Sequence, residues 1–395
     1  MVADGVPTLL LPYLLVGGDA GDATFLGLAT LLAIATAALL QPLAGKLSDR
    51  VGRRPVACIG VAAAGAGLAI IVISAGSTVV FVGLLVTLCG VSVAQAGQQA
   101  LLPDYLDTSR RGVASGLKGA FDVGGALLAF VVLAALLGSG EPTLAAVALF
   151  GVLGLSTVAG ILLLARTRKV DRTTKTAAAT SVSERAQFAR IVMARFLFLL
   201  GIYAVGRFMF LFVADAWNLS ADDAAAQAGL ALTVLAALTV AASIPAGWLA
   251  DRLGRRPVMV AGAGLAAVGI ALVPFTRDPV GLIGAGVLLA LGSAAFGSAS
   301  WAALSEAVAP ERSGWQLGLA NLGTAGAAAA AGLFGVVIDL GNGFRPEAGY
   351  VVAFGLAAVA ALAGGALAWR WGSLSRARVP PAQFTTQTSA TVEAR

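Results

Sequence analysis

Residues 45–55 read GKLSDRVGRRP, and residues 247–257 read GWLADRLGRRP. The two stretches lie 202 positions apart, and eight of their eleven residues are identical. The same offset aligns further residues, pairing Arg110 with Arg312, Gly112 with Gly314, Gly116 with Gly318, Leu117 with Leu319, and Gly124 with Gly326. The chain therefore contains a parallel internal repeat, in which two halves share one plan.

The sequence around these stretches is strongly apolar. Hydrophobic residues make up 58% of the 395 residues, charged residues make up 12%, and the mean hydropathy is +0.90. The apolar runs last roughly 18 to 25 residues, which matches the ~20 residues that a helix needs to cross ~30 Å of hydrocarbon. We predict an all-α integral membrane protein with about twelve transmembrane helices, at residues 1–16, 24–47, 56–75, 78–101, 112–137, 143–165, 192–216, 224–250, 257–274, 280–305, 314–339 and 348–371.

The polar stretches divide the chain. We predict a first six-helix bundle at 1–165, a cytoplasmic linker at 166–191, a second six-helix bundle at 192–371 and a disordered cytoplasmic tail at 372–395. Ser181 followed by Glu184 has the spacing of a capping box that opens the helix leading into the seventh span.

The basic residues are arranged by membrane side. Of the 26 Lys and Arg residues, all but Arg207, Arg277 and Arg345 fall on one side of the predicted topology. The positive-inside rule places that side in the cytoplasm, with both termini, and we expect a multi-pass protein of the inner (plasma) membrane. The net charge of +6 is thus assigned to the membrane and not to nucleic acid.

Several classes of site are not indicated. The chain has no histidine, which removes histidine-based catalytic triads and histidine-ligated metals. Cys58 and Cys89 both fall inside predicted spans without a paired spacing. We therefore expect no enzyme activity, no metal and no cofactor.

The eleven-residue stretch, repeated between helices 8 and 9, resembles the signature loop of the major facilitator superfamily. The resemblance covers essentially the whole chain through its two-times-six plan. It implies that this loop latches the two halves together when the cavity faces outward. The implied latch residues are Gly45, Asp49, Arg50, Gly52, Arg53 and Arg54 in the first copy, and Gly247, Asp251, Arg252, Gly254, Arg255 and Arg256 in the second.

The residue types fit such a latch. Gly45 or Gly247 lets two helix backbones approach closely. Asp49 and Asp251 can cap the N-terminus of a helix in the opposite half. The alternative is that the loops are only positive anchors, which explains the arginines but not the glycines and aspartates.

The sequence departs from the drug-antiporter branch of this superfamily. That branch carries an arginine on helix 4, where this chain has Val86. It also carries a Gly-Pro pair on helix 5, where Ala120 and Phe121 stand here. Assignment to that branch is not supported.

Three charged residues lie near the middle of predicted spans, where a charge is costly and indicates function. They are Asp4, Asp122 and Arg207. The 202 offset aligns Asp4 with Gly206, so Asp4 and Arg207 either face each other across a cavity or form a static pair. Asp122 is the leading candidate for proton coupling, although Lys118 at i−4 can instead keep it ionised.

Polar side chains on other helices are candidates for the substrate cavity. Gln95, Gln98 and Gln99 share one face of helix 4, and Ser300 and Trp301 hold equivalent places on helix 10. Asn321 on helix 11 is a further candidate. These side chains either orient a solute or form a wetted wall without selectivity.

Three functions remain open. The first is a monomeric secondary transporter that exports a small organic solute in exchange for protons, with membrane lipid as its other partner. The second is an uptake symporter or facilitator for a sugar or organic acid. The third is a membrane sensor of this fold that does not transport.

The first helix is short. A helix over residues 1–16 rises about 24 Å, less than the ~30 Å hydrocarbon layer. From the 202 offset, which aligns Met1 with Tyr203, we expect the native chain to start upstream of Met1.

Overall fold

A computed structural model describes residues 6–16, 23–51, 53–73, 77–105, 111–165, 182–307 and 313–370, and for some residues inside these ranges the backbone alone. The described residues form helices and no strand. The first half comprises α1 Leu11–Val16, preceded by a π-helical segment Val6–Leu10, α2 Ala23–Val51, α3 Arg53–Ile73, α4 Ser77–Tyr105, α5 Arg111–Leu137 and α6 Pro142–Ala165. The second half comprises α7 Val182–Trp217, α8 Ala221–Leu253, α9 Arg255–Leu272, α10 Pro279–Ala307, α11 Ser313–Ala330, α12 Phe334–Phe344 and α13 Ala348–Trp369.

The helices coincide with the predicted spans, and nine of them are long and apolar enough within the described residues to cross a membrane. The shorter apolar stretches Val123–Leu137 and Pro142–Leu155 fall in α5 and α6. The expected all-α membrane architecture is confirmed.

Two spans differ in detail from the prediction. α7 begins at Val182, so the end of the expected linker is already helical, and Ser181 of the expected capping box lies outside the described residues. The eleventh span is interrupted by a 3₁₀ turn, Ala331–Leu333, which separates α11 from α12. It then continues to Phe344.

The internal repeat also governs helix packing. A Cβ on Gly60 of α3 would collide with the backbone of α4 at Gly90 and Ala94. At the equivalent place, a Cβ on Gly262 of α9 would lie 2.7 Å from the backbone nitrogen of Phe296 in α10. The 202 offset relates both contacts. In both halves the equivalent helix pair is thus packed backbone to backbone, which small residues allow inside a membrane.

The two ends of the bundle differ in chemistry. One end carries the loop between α8 and α9 with Arg252, Arg255 and Arg256, and we call it the arginine-rich end. The opposite end carries Asp222 and Asp339, and we call it the acidic end. The turn at the arginine-rich end depends on Gly254, whose φ of +90° favours glycine over residues with a side chain.

Candidate functional site

At the acidic end, α2 of the first half meets α11 and α12 of the second half through glycines. A Cβ on Gly27 would collide with the carbonyl oxygen of Gly332, and a Cβ on Gly332 would collide with that of Gly27. One turn on, a Cβ on Gly335 would collide with the carbonyl oxygen of Ala23. The backbones of the two halves are therefore in direct contact, and any larger side chain here must push them apart.

Asp339 of α12 reinforces this contact by capping α2. Its carboxylate oxygens accept hydrogen bonds from the backbone nitrogens of Ala23, at 3.2 Å, and of Thr24, at 2.5 Å. These are the first residues of α2, whose amides have no partner inside the helix. A carboxylate also interacts favourably with the positive end of the helix dipole. One half thus supplies the N-terminal cap for a helix of the other half.

A second contact between the halves joins α5 to α8 at the same end. A Cβ on Gly229 would collide with the side chain of Ala134, and one on Gly138 would lie 3.1 Å from the Cβ of Ala226. Beside it, the Tyr13 hydroxyl donates to Oδ1 of Asp222 at 2.8 Å. We call these three sets of contacts, α2 with α11 and α12, α5 with α8, and Tyr13 with Asp222, the acidic-end gate.

The arginine-rich end contains the second copy of the predicted latch. A Cβ on Gly247 would meet no described atom within 4 Å. Asp251 is exposed. The Arg252 guanidinium stacks on the ring of Trp248 at 3.7 Å, and Arg255 and Arg256 are half-buried.

The first copy of the latch lies largely outside the description. Gly45, Asp49 and Arg50 are in α2, and Arg53 and Arg54 begin α3, but their side chains are not among the described ones. Gly52 lies outside the described residues. The latch stays a prediction.

In the interior, the structure assembles a basic cluster around Arg195 of α7. Arg195 is 6% exposed, and its Nη1 donates to the hydroxyl of Ser300 in α10 at 2.5 Å. Its guanidinium carbon lies 4.3 Å from the ring centre of Trp301. From its place in the sequence, Arg195 is one of the basic residues predicted on the cytoplasmic side. The structure instead buries it against the two predicted cavity residues of α10.

Arg207 is also buried, at 4% exposure, farther along α7. Its Nη2 donates to the carbonyl oxygen of Ala328 in α11 at 3.4 Å. Asp4 lies outside the described residues, as does the side chain of Asp122. The predicted pairing of Asp4 with Arg207 and the role of Asp122 in proton coupling therefore stay predictions.

The other predicted cavity residues are spread over three helices. Gln95 of α4, Trp301 of α10 and Asn321 of α11 are half-buried, and the side chains of Gln98 and Gln99 lie outside the description. Ser300 is fully buried and also donates to the carbonyl oxygen of Gly297. The structure brings Ser300 and Trp301 together on Arg195.

Sequence reasoning missed Asp339 and Arg195. Asp339 interrupts the apolar run between Ile338 and Leu340, and that interruption is the signal that could have drawn attention to it. Arg195 follows the apolar stretch Ile191–Val192–Met193 and precedes Phe196, so it already lies inside an apolar run. In the described part of the chain, no group of three or more Asp, Glu or Cys side chains is arranged to hold a metal ion.

Two repeated bundles of membrane-length helices that touch across one end define a multi-pass membrane protein. The chain belongs to the Major Facilitator Superfamily, whose model matches residues 1–225 and again residues 191–392. The resemblance of the two repeated loops to the signature loop of this superfamily is thereby confirmed.

Two solved structures share the fold. The chain is similar to a D-xylose-proton symporter, with 16% identity over 94% of this chain and 95% of that one, and a TM-score of 0.70. It is also similar to a mutant of the nucleoside transporter NupG, with 15% identity over 93% of this chain and 98% of that one, and a TM-score of 0.64. None of the curated proteins matches this chain.

Proposed function

We propose that this protein is a secondary transporter that moves a small organic solute by alternating access, with the acidic-end gate and the arginine-rich latch closing in turn. The observation that carries the proposal is the contact between Gly27 and Gly332, where the backbones of the two halves meet at one end of the bundle. At the other end, Gly247 has no described atom near its Cβ position. This combination is the expected arrangement of a carrier that is closed at its acidic end.

The contacts of the gate suit a reversible closure. Glycine contacts form only when the helices approach fully, so they favour one defined closed geometry. A helix cap such as that of Asp339 contributes about 0.5–2 kcal/mol. A closed state held by a few such contacts can exchange with an open state that differs by a few kcal/mol, as a transport cycle requires.

The second half of the cycle is assigned to the signature loops. When the acidic end opens, Asp49 and Asp251 cap helices of the opposite half, and Gly45 and Gly247 allow the helix backbones to approach closely. The positive-inside rule orients the arginine-rich end toward the cytoplasm. The proposal therefore includes an inner-membrane location, both termini in the cytoplasm and a monomer as the working unit.

Proton coupling is part of the proposal and is assigned to Asp122, because a carboxyl group inside the membrane accepts a proton more readily. Replacement of Asp122 by asparagine is expected to abolish pH-dependent transport and to leave passive exchange of solute. Export is the first direction proposed. Uptake is the second candidate, since one structural neighbour is described as a D-xylose-proton symporter.

Alternating access can be tested without knowing the solute. Cys58 and Cys89 are first replaced by serine, and a single cysteine is placed at Gly247. We expect this cysteine to react rapidly with a maleimide in the unmodified gate background. Gly332→Trp, which forces the acidic end apart, should slow the reaction at least about tenfold if the two ends close in turn.

Gly264→Trp provides the control, because a Cβ at Gly264 would meet no described atom within 4 Å. It should leave the maleimide reaction unchanged. An equal rate in the Gly332→Trp and control backgrounds would refute coupling between the two ends. Comparison of metabolites inside and outside cells with and without the protein would then identify the solute and the direction.

A further inference from the structure

Arg195 is a buried cation for which the described residues provide no anion. It is only 6% exposed, and it lies within an apolar span. Its hydrogen bond goes to a neutral hydroxyl, that of Ser300, and its flat contact is with the neutral ring of Trp301. A charge within a membrane is costly and is retained where it serves a ligand, an ion path or a partner.

The guanidinium is held by its neighbours in a way that leaves its ligand-binding edge unused. Stacking on Trp301 fixes the plane of the group, and Ser300 occupies Nη1. The Nε atom is buried and has no hydrogen-bond partner. Nε and the adjacent Nη2 form the edge that binds a carboxylate or phosphate through two parallel hydrogen bonds.

An uncrowded position on α10 lies beside the same residues. Gly297 is one turn before Trp301 on the same face of α10, and a Cβ there would meet no described atom within 4 Å. Trp301 is half-buried. On the apolar side, Phe198 and Phe296 stack with ring centres 3.9 Å apart, one turn from Arg195 and Ser300.

Resting on the proposed function, we propose that Arg195, positioned by Ser300 and Trp301, binds the anionic group of the transported solute, so that the substrate is a small organic anion. The anionic group is a carboxylate or a phosphate ester, since both have two oxygens at the spacing of the guanidinium edge.

Thermal unfolding of the purified full-length protein in detergent tests the site with matched probes at equal ionic strength. The pairs are benzoate with benzamide, lactate with lactamide, and glycerol 3-phosphate with glycerol. We expect at least one anion to raise the Tm by about 2 °C or more, and its neutral partner to have no effect. A response to benzoate or lactate assigns a carboxylate, and a response to glycerol 3-phosphate alone assigns a phosphate ester.

Three variants locate the response. Arg195→Gln should abolish the Tm shift, while Arg195→Lys, which keeps the charge but loses the fork, should raise the half-saturating concentration by about tenfold or more. Gly297→Leu, which adds a side chain at this uncrowded position one turn before Trp301, should also abolish the shift. Arg277→Gln is the matched control, because Arg277 is an exposed arginine that pairs with Glu347 at the acidic end.

Two results would overturn the site: no anion of the panel raises the Tm of the wild-type protein, or Arg195→Gln responds as the wild type does. If no anion raises the Tm of the wild type, and Arg195→Gln lowers the Tm without ligand, Arg195 only stabilises the packing of α7 against α10. Neither result affects the maleimide test of alternating access. Conversely, if the maleimide test fails, the anion response at Arg195 can still be observed, so the two proposals fail separately.

Discussion

The two ends of the bundle carry different kinds of contact. At the acidic end, Gly27 and Gly332 bring backbones together and Asp339 caps a helix of the other half. At the arginine-rich end, Gly247 makes no close approach to a described atom and Asp251 is exposed. A residue that makes contacts in one conformation can be exposed in another, so the exposure of Asp251 does not argue against a role for it.

The largest expected effect comes from Gly27→Leu at the acidic end. The new side chain would collide with the Gly332 carbonyl, and a backbone cannot yield as a side chain can. We expect the gate to remain open and solute exchange to fall more than about tenfold. Exchange of the solute found by metabolite comparison, in proteoliposomes, measures it.

Gly284→Leu is the matched control for this variant. Gly284 lies in α10 toward the same end, and a Cβ there meets no described atom within 4 Å. If both variants slowed exchange equally, the loss would reflect a general effect of leucine in an apolar helix. The special role of the Gly27 contact at the acidic end would then be contradicted.

Gly254→Ala examines the turn at the arginine-rich end. The φ of +90° at Gly254 is disfavoured for alanine, and the strain should cost about 1–3 kcal/mol. We expect a Tm lower by several degrees. Gly247→Ala, at an uncrowded helical position, should raise or preserve the Tm instead; a loss of the same size in both variants would show that Gly247 is packed after all.

Asp339→Asn weakens the cap of α2 and keeps the size and shape of the side chain at position 339. An asparagine accepts through one oxygen only, and its amino group would face a backbone N–H, so one of the two bonds from Ala23 and Thr24 is lost. The expected cost of about 1 kcal/mol corresponds to roughly a fivefold shift toward the state open at the acidic end. The maleimide rate at Gly247→Cys reports this shift as slower labelling, and an unchanged rate would remove Asp339 from the gate.

Tyr13→Phe should have the smallest effect. It removes one exposed hydrogen bond to Asp222, and such bonds contribute about 0.5–1.5 kcal/mol or less at a surface. We expect the labelling rate to change by less than about threefold. A change as large as that of Gly27→Leu would mean that the contact of Tyr13 with Asp222, and not the backbone contact, holds the end closed.

The repeat explains why so much of the fold could be predicted from the sequence. Apolar run length fixes the helices, and the 202 offset carries over from the loops to the packing of Gly60 and Gly262. These features are local or repeated, so they are visible in a single sequence. The family resemblance rested on the same loops and was confirmed.

The functional contacts were harder to predict, since they join residues far apart in the chain. Asp339 lies 316 residues from Ala23, and no spacing rule connects an acid in one helix with the start of another. By sequence, Arg195 is a cation that flanks the seventh span, whereas the structure buries it. Its burial depends on where α10 packs, which the sequence does not show. The proposed gate residues and the predicted latch residues are both present in the chain, so the sequence alone does not indicate which end is closed.

The cap at α2 has a consequence for hydration. While Asp339 holds the backbone nitrogens of Ala23 and Thr24, neither amide needs a solvent partner. When the halves separate there, two amide donors and a carboxylate lose each other and each must be hydrated. Opening of the acidic end is therefore also an uptake of water, and solutes that are excluded from protein surfaces, such as sucrose, should favour its closure.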